Sequence, residues 1–134
     1  MKTESGKKYK ILLVDDDKFL IDMYSLKFQE NGFTVETVFG GEEAVNKLKE
    51  KKDFDIVLLD LIMPGMDGFE LLENIRGQKL AENSAVIVLS NQGQKEDVDR
   101  ANQFDVDGYI IKASTIPSEV LHTVVKIADK KFGK

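Results

Sequence analysis

The chain contains no cysteine, which excludes disulfides, thiolate metal sites and cysteine nucleophiles. Histidine occurs once, as His122, which argues against a zinc centre as well. No apolar run approaches the length of a membrane span. The opening MKTESGKKYK lacks the apolar core of a secretory signal, so the expected location is the cytoplasm, with no membrane contact. An excess of positive charge is also missing: 19 basic residues stand against 24 acidic ones, for a formal net charge of −5. No direct nucleic-acid partner is expected. What remains, at 134 residues with 42% hydrophobic and 32% charged, has the size and composition of one globular domain.

Within that length, two kinds of segment alternate. KILLV (10–14) is a short apolar run; from Phe19 apolar residues recur with helical spacing until Asn31-Gly32. FTVETVF (33–39) alternates like a half-buried strand, and GEEAVNKLKEKK (41–52) has one apolar helical face. DIVLL (55–59), AVIVLS (85–90) and YIIK (109–112) read as further strands. FELLENIR (69–76), the very polar KEDVDRANQF (95–104) and PSEVLHTVVKIADKKF (117–132) read as helices, the last with Pro117 in its first turn. Five strand–helix repeats predict a doubly wound α/β fold. Its parallel sheet has five strands and five helices and is flavodoxin-like, with strand order 2-1-3-4-5. Residues 1–9 read as a flexible N-terminal segment and the last three as frayed, leaving one domain over 10–134.

Ligands of such sheets bind beyond the carboxyl ends of the strands. Strand one ends in Asp15-Asp16-Asp17, strand three in Asp60, strand four in Ser90 and strand five in Lys112. Taken singly, each has a plain reading. One of the three adjacent acids caps the first helix, Asp60 belongs to a turn, Ser90 is a polar strand end and Lys112 is a solvated lysine. But three acids are too many for one cap, and Asp67-Gly68 already provides turn chemistry for the loop after Asp60. Like charges gathered at one edge are costly without a cation. Carboxylate oxygens favour Mg²⁺ or Mn²⁺. An acid beside such a cation can attack a phosphoryl group and form an aspartyl phosphate, while a lysine and a hydroxyl hold the other phosphoryl oxygens.

ILLVDDD, DLIMPGMDG, VIVLS and GYIIK, in that order, resemble the four signature segments of response regulator receiver domains, the phosphoacceptor modules of two-component systems. The resemblance runs from about Lys10 to Phe132. It implies that Asp60 accepts a phosphoryl group from a sensor histidine kinase, a phosphotransfer protein or a small phosphodonor. Asp15, Asp16 and Asp60 would bind Mg²⁺, with Asp16 the more direct ligand and the backbone carbonyl of Ile62 completing the set. Ser90 and Lys112 would contact the phosphoryl oxygens. Ser90 and Tyr109 would form the switch, read by a partner, an output domain or a second copy through residues 94–132. Such a domain catalyses only its own phosphorylation and dephosphorylation.

Two positions depart from the family pattern. Ala113 stands where a proline usually follows the lysine; a cis bond there would cost about 2.5–4 kcal/mol, so a trans or strained peptide is expected. Asn91 follows Ser90 where a small residue is usual, and its amide can shield or orient the attacking water. Other readings fit less well. A haloacid-dehalogenase-type phosphatase carries a second acid two residues after the nucleophile, where this chain has Ile62. A flavin carrier needs a phosphate-binding loop where this chain has three acids. His122 and the basic KIADKKFGK tail read as parts of a solvated helix.

Overall fold

The computed structural model describes residues 8–133. The chain runs β1 (Lys10–Val14), α1 (Lys18–Glu30), β2 (Thr34–Val38), α2 (Gly41–Glu50), β3 (Ile56–Leu59), α3 (Gly68–Gly77), β4 (Ala85–Ser90), α4 (Lys95–Asn102), β5 (Gly108–Ile111) and α5 (Pro117–Phe132). The strands form one sheet in the order β2-β1-β3-β4-β5, every pairing parallel. This is the flavodoxin-like arrangement expected from the alternation of elements. Among the described residues no helix is long and apolar enough to cross a membrane.

Pleating divides the strand residues between two cores. Leu12, Val14, Val57, Leu59, Val86 and Val88 face α2, α3 and α4, where Leu48, Leu72, Ile75 and Ala101 meet them. Ile11, Leu13, Ile56, Leu58, Ile87 and Leu89 face α1 and α5, packing on Phe28, Val120, Val124 and Ala128. β3 and β4 are buried along their whole length, as central strands covered on both faces must be.

Two local expectations change and a third, the trans peptide, holds. Residues 1–7 of the expected flexible segment lie outside the described residues, but Tyr9 is buried. Its ring packs on Phe33 and Phe132, and its hydroxyl donates to Asp129, because the residue just before β1 falls between α1 and α5. The fifth strand stops at Ile111, and Lys112 opens a 3₁₀ turn over Lys112–Ser114 that swings its side chain back toward the sheet edge. No peptide bond among the described residues is cis, so Ala113 follows Lys112 through a trans bond.

The loop after β3 also divides its labour differently from the sequence reading. The turn falls at Pro64-Gly65, with Gly65 at φ 73°. Asp67 is instead the N-cap of α3: its side chain accepts from Glu70 N–H, and the Glu70 carboxylate accepts from Asp67 N–H. Gly68 serves close approach. A Cβ there would lie 2.3 Å from the Asp60 carbonyl oxygen and 2.5 Å from Leu61 Cα. The start of α3 is thus seated directly against the peptide that carries Asp60.

Candidate functional site

An open cleft of about 380 Å³ lies at the carboxyl edge of the sheet, lined by Asp15, Asp16, Asp60, Ile62, Ser90 and Lys112 among others. All the site residues expected from the sequence except Tyr109 therefore meet in one place. Asp15 and Asp60 are each only 7% exposed and Ser90 is fully buried, whereas Asp16 is exposed. Asp17 is the helix cap, accepting from Leu20 N–H at 3.2 Å; this leaves Asp15 and Asp16 free of that duty.

Two contacts orient the buried acids. Asp15 Oδ1 accepts from Asp17 N–H at 2.9 Å, and Asp60 Oδ1 accepts from Leu61 N–H at 2.8 Å. Their other oxygens face Lys112, whose Nζ lies 2.6 Å from Asp15 Oδ2 and 3.5 Å from Asp60 Oδ2. Burial pushes the Asp15 carboxyl up from its ordinary pKa, against the pull of Lys112 and the Asp17 N–H, and the Asp60 charge adds to the rise. Burial acts to lower the Lys112 ammonium, but the Asp15 hydrogen bond and the two carboxylate charges outweigh it and raise its pKa. Lys112 stays charged.

Donor atoms of Asp15, Asp16 and Asp60 lie within 4.8 Å of one another. At an effective dielectric near 20, two carboxylates at that separation repel by about 3 kcal/mol, and one ammonium cannot neutralise three of them. All three donors are hard carboxylate oxygens, a set that can hold a metal ion.

Ser90 and Tyr109 meet at a residue the sequence reading passed over. Ser90 Oγ accepts from Gln92 N–H at 3.2 Å, and the Tyr109 hydroxyl donates to the Gln92 carbonyl. The Tyr109 ring is half-buried and packs against the α2–α3–α4 side of the core. Backbone groups carry both Gln92 contacts, so no residue-type signal marked the position. Asn91 is exposed at the rim of the cleft, Ile62 is 57% exposed beside it, and His122 is exposed on α5 and takes no part in lining the cleft.

A flavodoxin-like sheet with a lysine, a hydroxyl and clustered carboxylates at its carboxyl edge defines a class: an α/β signalling domain whose acidic pocket fits a phosphoacceptor site. Residues 11–126 match the family model described as the response regulator receiver domain. The chain belongs to that family. It is 35% identical to chemotaxis protein CheY-3 of Vibrio cholerae over 111 residues, which span 82% of this chain and 85% of that protein. It is 28% identical to the phosphate regulon transcriptional regulatory protein PhoB of Rhizobium meliloti, covering 93% of this chain but only 61% of that protein. Among solved structures, the receiver domain of the Francisella response regulator 1452 superposes with a TM-score of 0.80 at 30% identity. That match covers 91% of this chain and 98% of that one.

Proposed function

We propose that this domain is a cytoplasmic phosphoacceptor: Asp60 takes a phosphoryl group from the phosphohistidine of a sensor kinase or phosphotransfer protein, or from a small phosphodonor, and the modified state is read at residues 94–132. The observation that carries this reading is the placement of Lys112, 2.6 Å from Asp15 and 3.5 Å from Asp60 in one buried cluster. A fixed ammonium beside an oriented carboxylate is what in-line transfer onto that carboxylate requires.

In the transfer, an Asp60 carboxylate oxygen attacks phosphorus as the P–N bond to the donor imidazole breaks, and the imidazole nitrogen keeps the bonding pair. The Leu61 N–H holds Asp60 Oδ1 in place throughout. Lys112 needs only a small rotation to trade its Asp15 contact for a phosphoryl oxygen. The Ser90 hydroxyl lies at the same cleft wall and can donate to another. Asp15, Asp16, Asp60 and the Ile62 carbonyl would hold Mg²⁺, which when bound supplies positive charge against the developing phosphoryl oxyanions.

Turning Ser90 toward the phosphoryl group, to which its hydroxyl donates, pulls on the Gln92 N–H that the same oxygen accepts. The Gln92 carbonyl is also the acceptor of the Tyr109 hydroxyl, so the loop before α4 and the β5 ring must readjust together. α4 is lightly attached: Ala101 is its one buried residue. Arg100 lies 4.0 Å from the Phe69 ring centroid, and Arg76 pins the following loop through the Phe104 and Asp105 carbonyls. A weakly seated helix can answer a change of a few kcal/mol, and a partner or a second copy of the domain reads the altered face.

Incubation with acetyl phosphate and Mg²⁺ tests the reading. The expected result is one hydroxylamine-labile phosphoryl group mapped to Asp60 and absent from Asp60→Asn. A stable modification elsewhere, or none with metal present, refutes it.

A further inference from the structure

Beneath the acidic cluster lies a second, much smaller space. A cavity of about 10 Å³ is lined by Asp15 and Asp60, by apolar side chains including Ile21, Leu58 and Leu89, and by Tyr24. That volume is close to the minimum that admits one water molecule. Tyr24 comes from the middle of α1, where helical spacing alone makes it one more member of the buried face; it is 5% exposed. A ring so placed needs no hydroxyl for packing, and a buried phenolic O–H normally finds a partner. No hydrogen bond to the Tyr24 hydroxyl is found among the described residues. Nor is any fully enclosed side-chain oxygen left unpaired, so this hydroxyl retains some accessible surface, and Tyr24 shares the lining of this cavity with Asp15 and Asp60. The charges of Asp15 and Lys112 both act on the phenol; burial raises its pKa, Lys112 opposes that rise and Asp15 adds to it.

We propose that Tyr24 is a positioning residue for the phosphoacceptor centre, its hydroxyl donating through one water in this cavity to the Asp15 carboxylate. The need for such a donor follows from the Lys112 geometry. In the structure Asp15 has the ammonium at 2.6 Å, and phosphorylation of Asp60 draws that ammonium away. Asp15 then keeps the Asp17 N–H and would face the bound cation, and a hydroxyl delivered from below restores the hydrogen-bond donor lost with Lys112 and fixes the carboxylate's orientation toward that cation. A metal ligand held by an outer hydrogen bond keeps its orientation and its affinity. The inference rests on the Mg²⁺ reading given above.

The test compares wild type, Tyr24→Phe and Tyr24→Leu in three measurements: melting without metal, the NMR resonance of the Asp15 carboxylate carbon without metal, and Mg²⁺ affinity. Tyr24→Phe keeps the ring and should melt within about 2 °C of wild type. It should nevertheless shift the Asp15 resonance and weaken Mg²⁺ binding by about ten- to a hundredfold, the range for loss of an outer hydrogen bond to a metal ligand. Tyr24→Leu should melt lower, yet weaken Mg²⁺ no further than Tyr24→Phe does. If Tyr24→Phe leaves both the resonance and the affinity unchanged, or if only Tyr24→Leu alters them, Tyr24 is packing alone and the inference fails. A wild-type domain indifferent to Mg²⁺ overturns the metal reading instead, and the metal-free Asp15 resonance then still decides whether Tyr24 reaches that carboxylate.

Discussion

Replacing Gly68 with alanine should destabilise this domain more than any comparable surface change, because the obstacle is main chain. The added Cβ would meet the Asp60 carbonyl oxygen at 2.3 Å and Leu61 Cα at 2.5 Å, where ordinary contact begins at 3.4 Å. The first turn of α3 must therefore retreat by about 1 Å, and overpacking of that kind costs about 1–3 kcal/mol. Retreat also stretches the Gly68 N–H bond to the Leu61 carbonyl, now 2.8 Å, at a further cost of about 0.5–1.5 kcal/mol. The better helix propensity of alanine returns at most about 1 kcal/mol. The net expectation is a loss of about 2–3 kcal/mol, or roughly 6–12 °C in melting temperature for a domain of this size. Gly77 closes the same helix with nothing within 4 Å of its notional Cβ. Gly77→Ala should accordingly be neutral or stabilising by about 0.5–1 kcal/mol. Paired urea and thermal melts measure both. If Gly68→Ala lies within about 0.5 kcal/mol of wild type, or if the two variants fall equally, the close-approach argument is wrong. The same displacement moves the Asp60–Leu61 peptide, so phosphorylation of Gly68→Ala by acetyl phosphate should also slow.

Glu36 on β2 receives Lys51 at 2.9 Å, Lys47 at 3.3 Å and Lys10 at 3.5 Å, and the Lys51 hydrogen bond leads the effects that hold its carboxyl below the ordinary glutamate pKa. A depressed carboxyl stabilises the fold above its unfolded pKa and loses that contribution as pH falls through the folded one. The stability gap between wild type and Glu36→Gln should therefore be full near neutrality and close as urea titrations are taken below about pH 4; a gap independent of pH contradicts the assignment. Millimolar Mg²⁺ should raise the wild-type melting temperature by mass action. Asp16→Asn should blunt that response more than Asp15→Asn, since Asp15 already has Lys112 while Asp16 is exposed to the cleft; equal blunting would refute the ranking. Ser84 is buried and donates to the Phe54 carbonyl at 2.6 Å. Ser84→Ala should thus cost about 1–2 kcal/mol in chemical denaturation with phosphorylation unchanged.

The strand–helix alternation was legible because buried parallel strands leave unbroken apolar runs such as VLL and VIVL, and crossover handedness leaves few ways to order them. The gathering of Asp15, Asp16, Asp60, Ser90 and Lys112 was legible for the same reason: each ends a strand, and all the strands point one way. What escaped was whatever depends on main-chain atoms or on the reach of a side chain. Gln92 joins Ser90 to Tyr109 through its N–H and carbonyl, groups every residue has. Tyr9 follows a polar, lysine-rich stretch and looked like part of a tail, yet α5 supplies it with Phe132 and Asp129 from the far end of the chain. Asp67-Gly68 carried a turn signature, but a glycine needed for closeness and one needed for a positive φ look the same in one dimension. Lys112 was placed at the right edge, and its preference for Asp15 over Asp60 followed only from the 3₁₀ turn that redirects it.

The Lys112–Asp15 pair also bears on how the chain folds. Its partners stand 97 residues apart, a separation whose closure costs about 4 kcal/mol of chain entropy. In any partial assembly in which β1 and β3 pair before β5 and α5 arrive, Asp15 and Asp60 would already stand side by side. They would do so without their counter-ion, since the ammonium travels on the segment that follows the last strand of the sheet. Intermediates lacking β5 and α5 therefore carry two like charges at one edge and are raised in energy relative to the complete fold. The acidic centre thus penalises partly assembled forms and makes unfolding more nearly all-or-none.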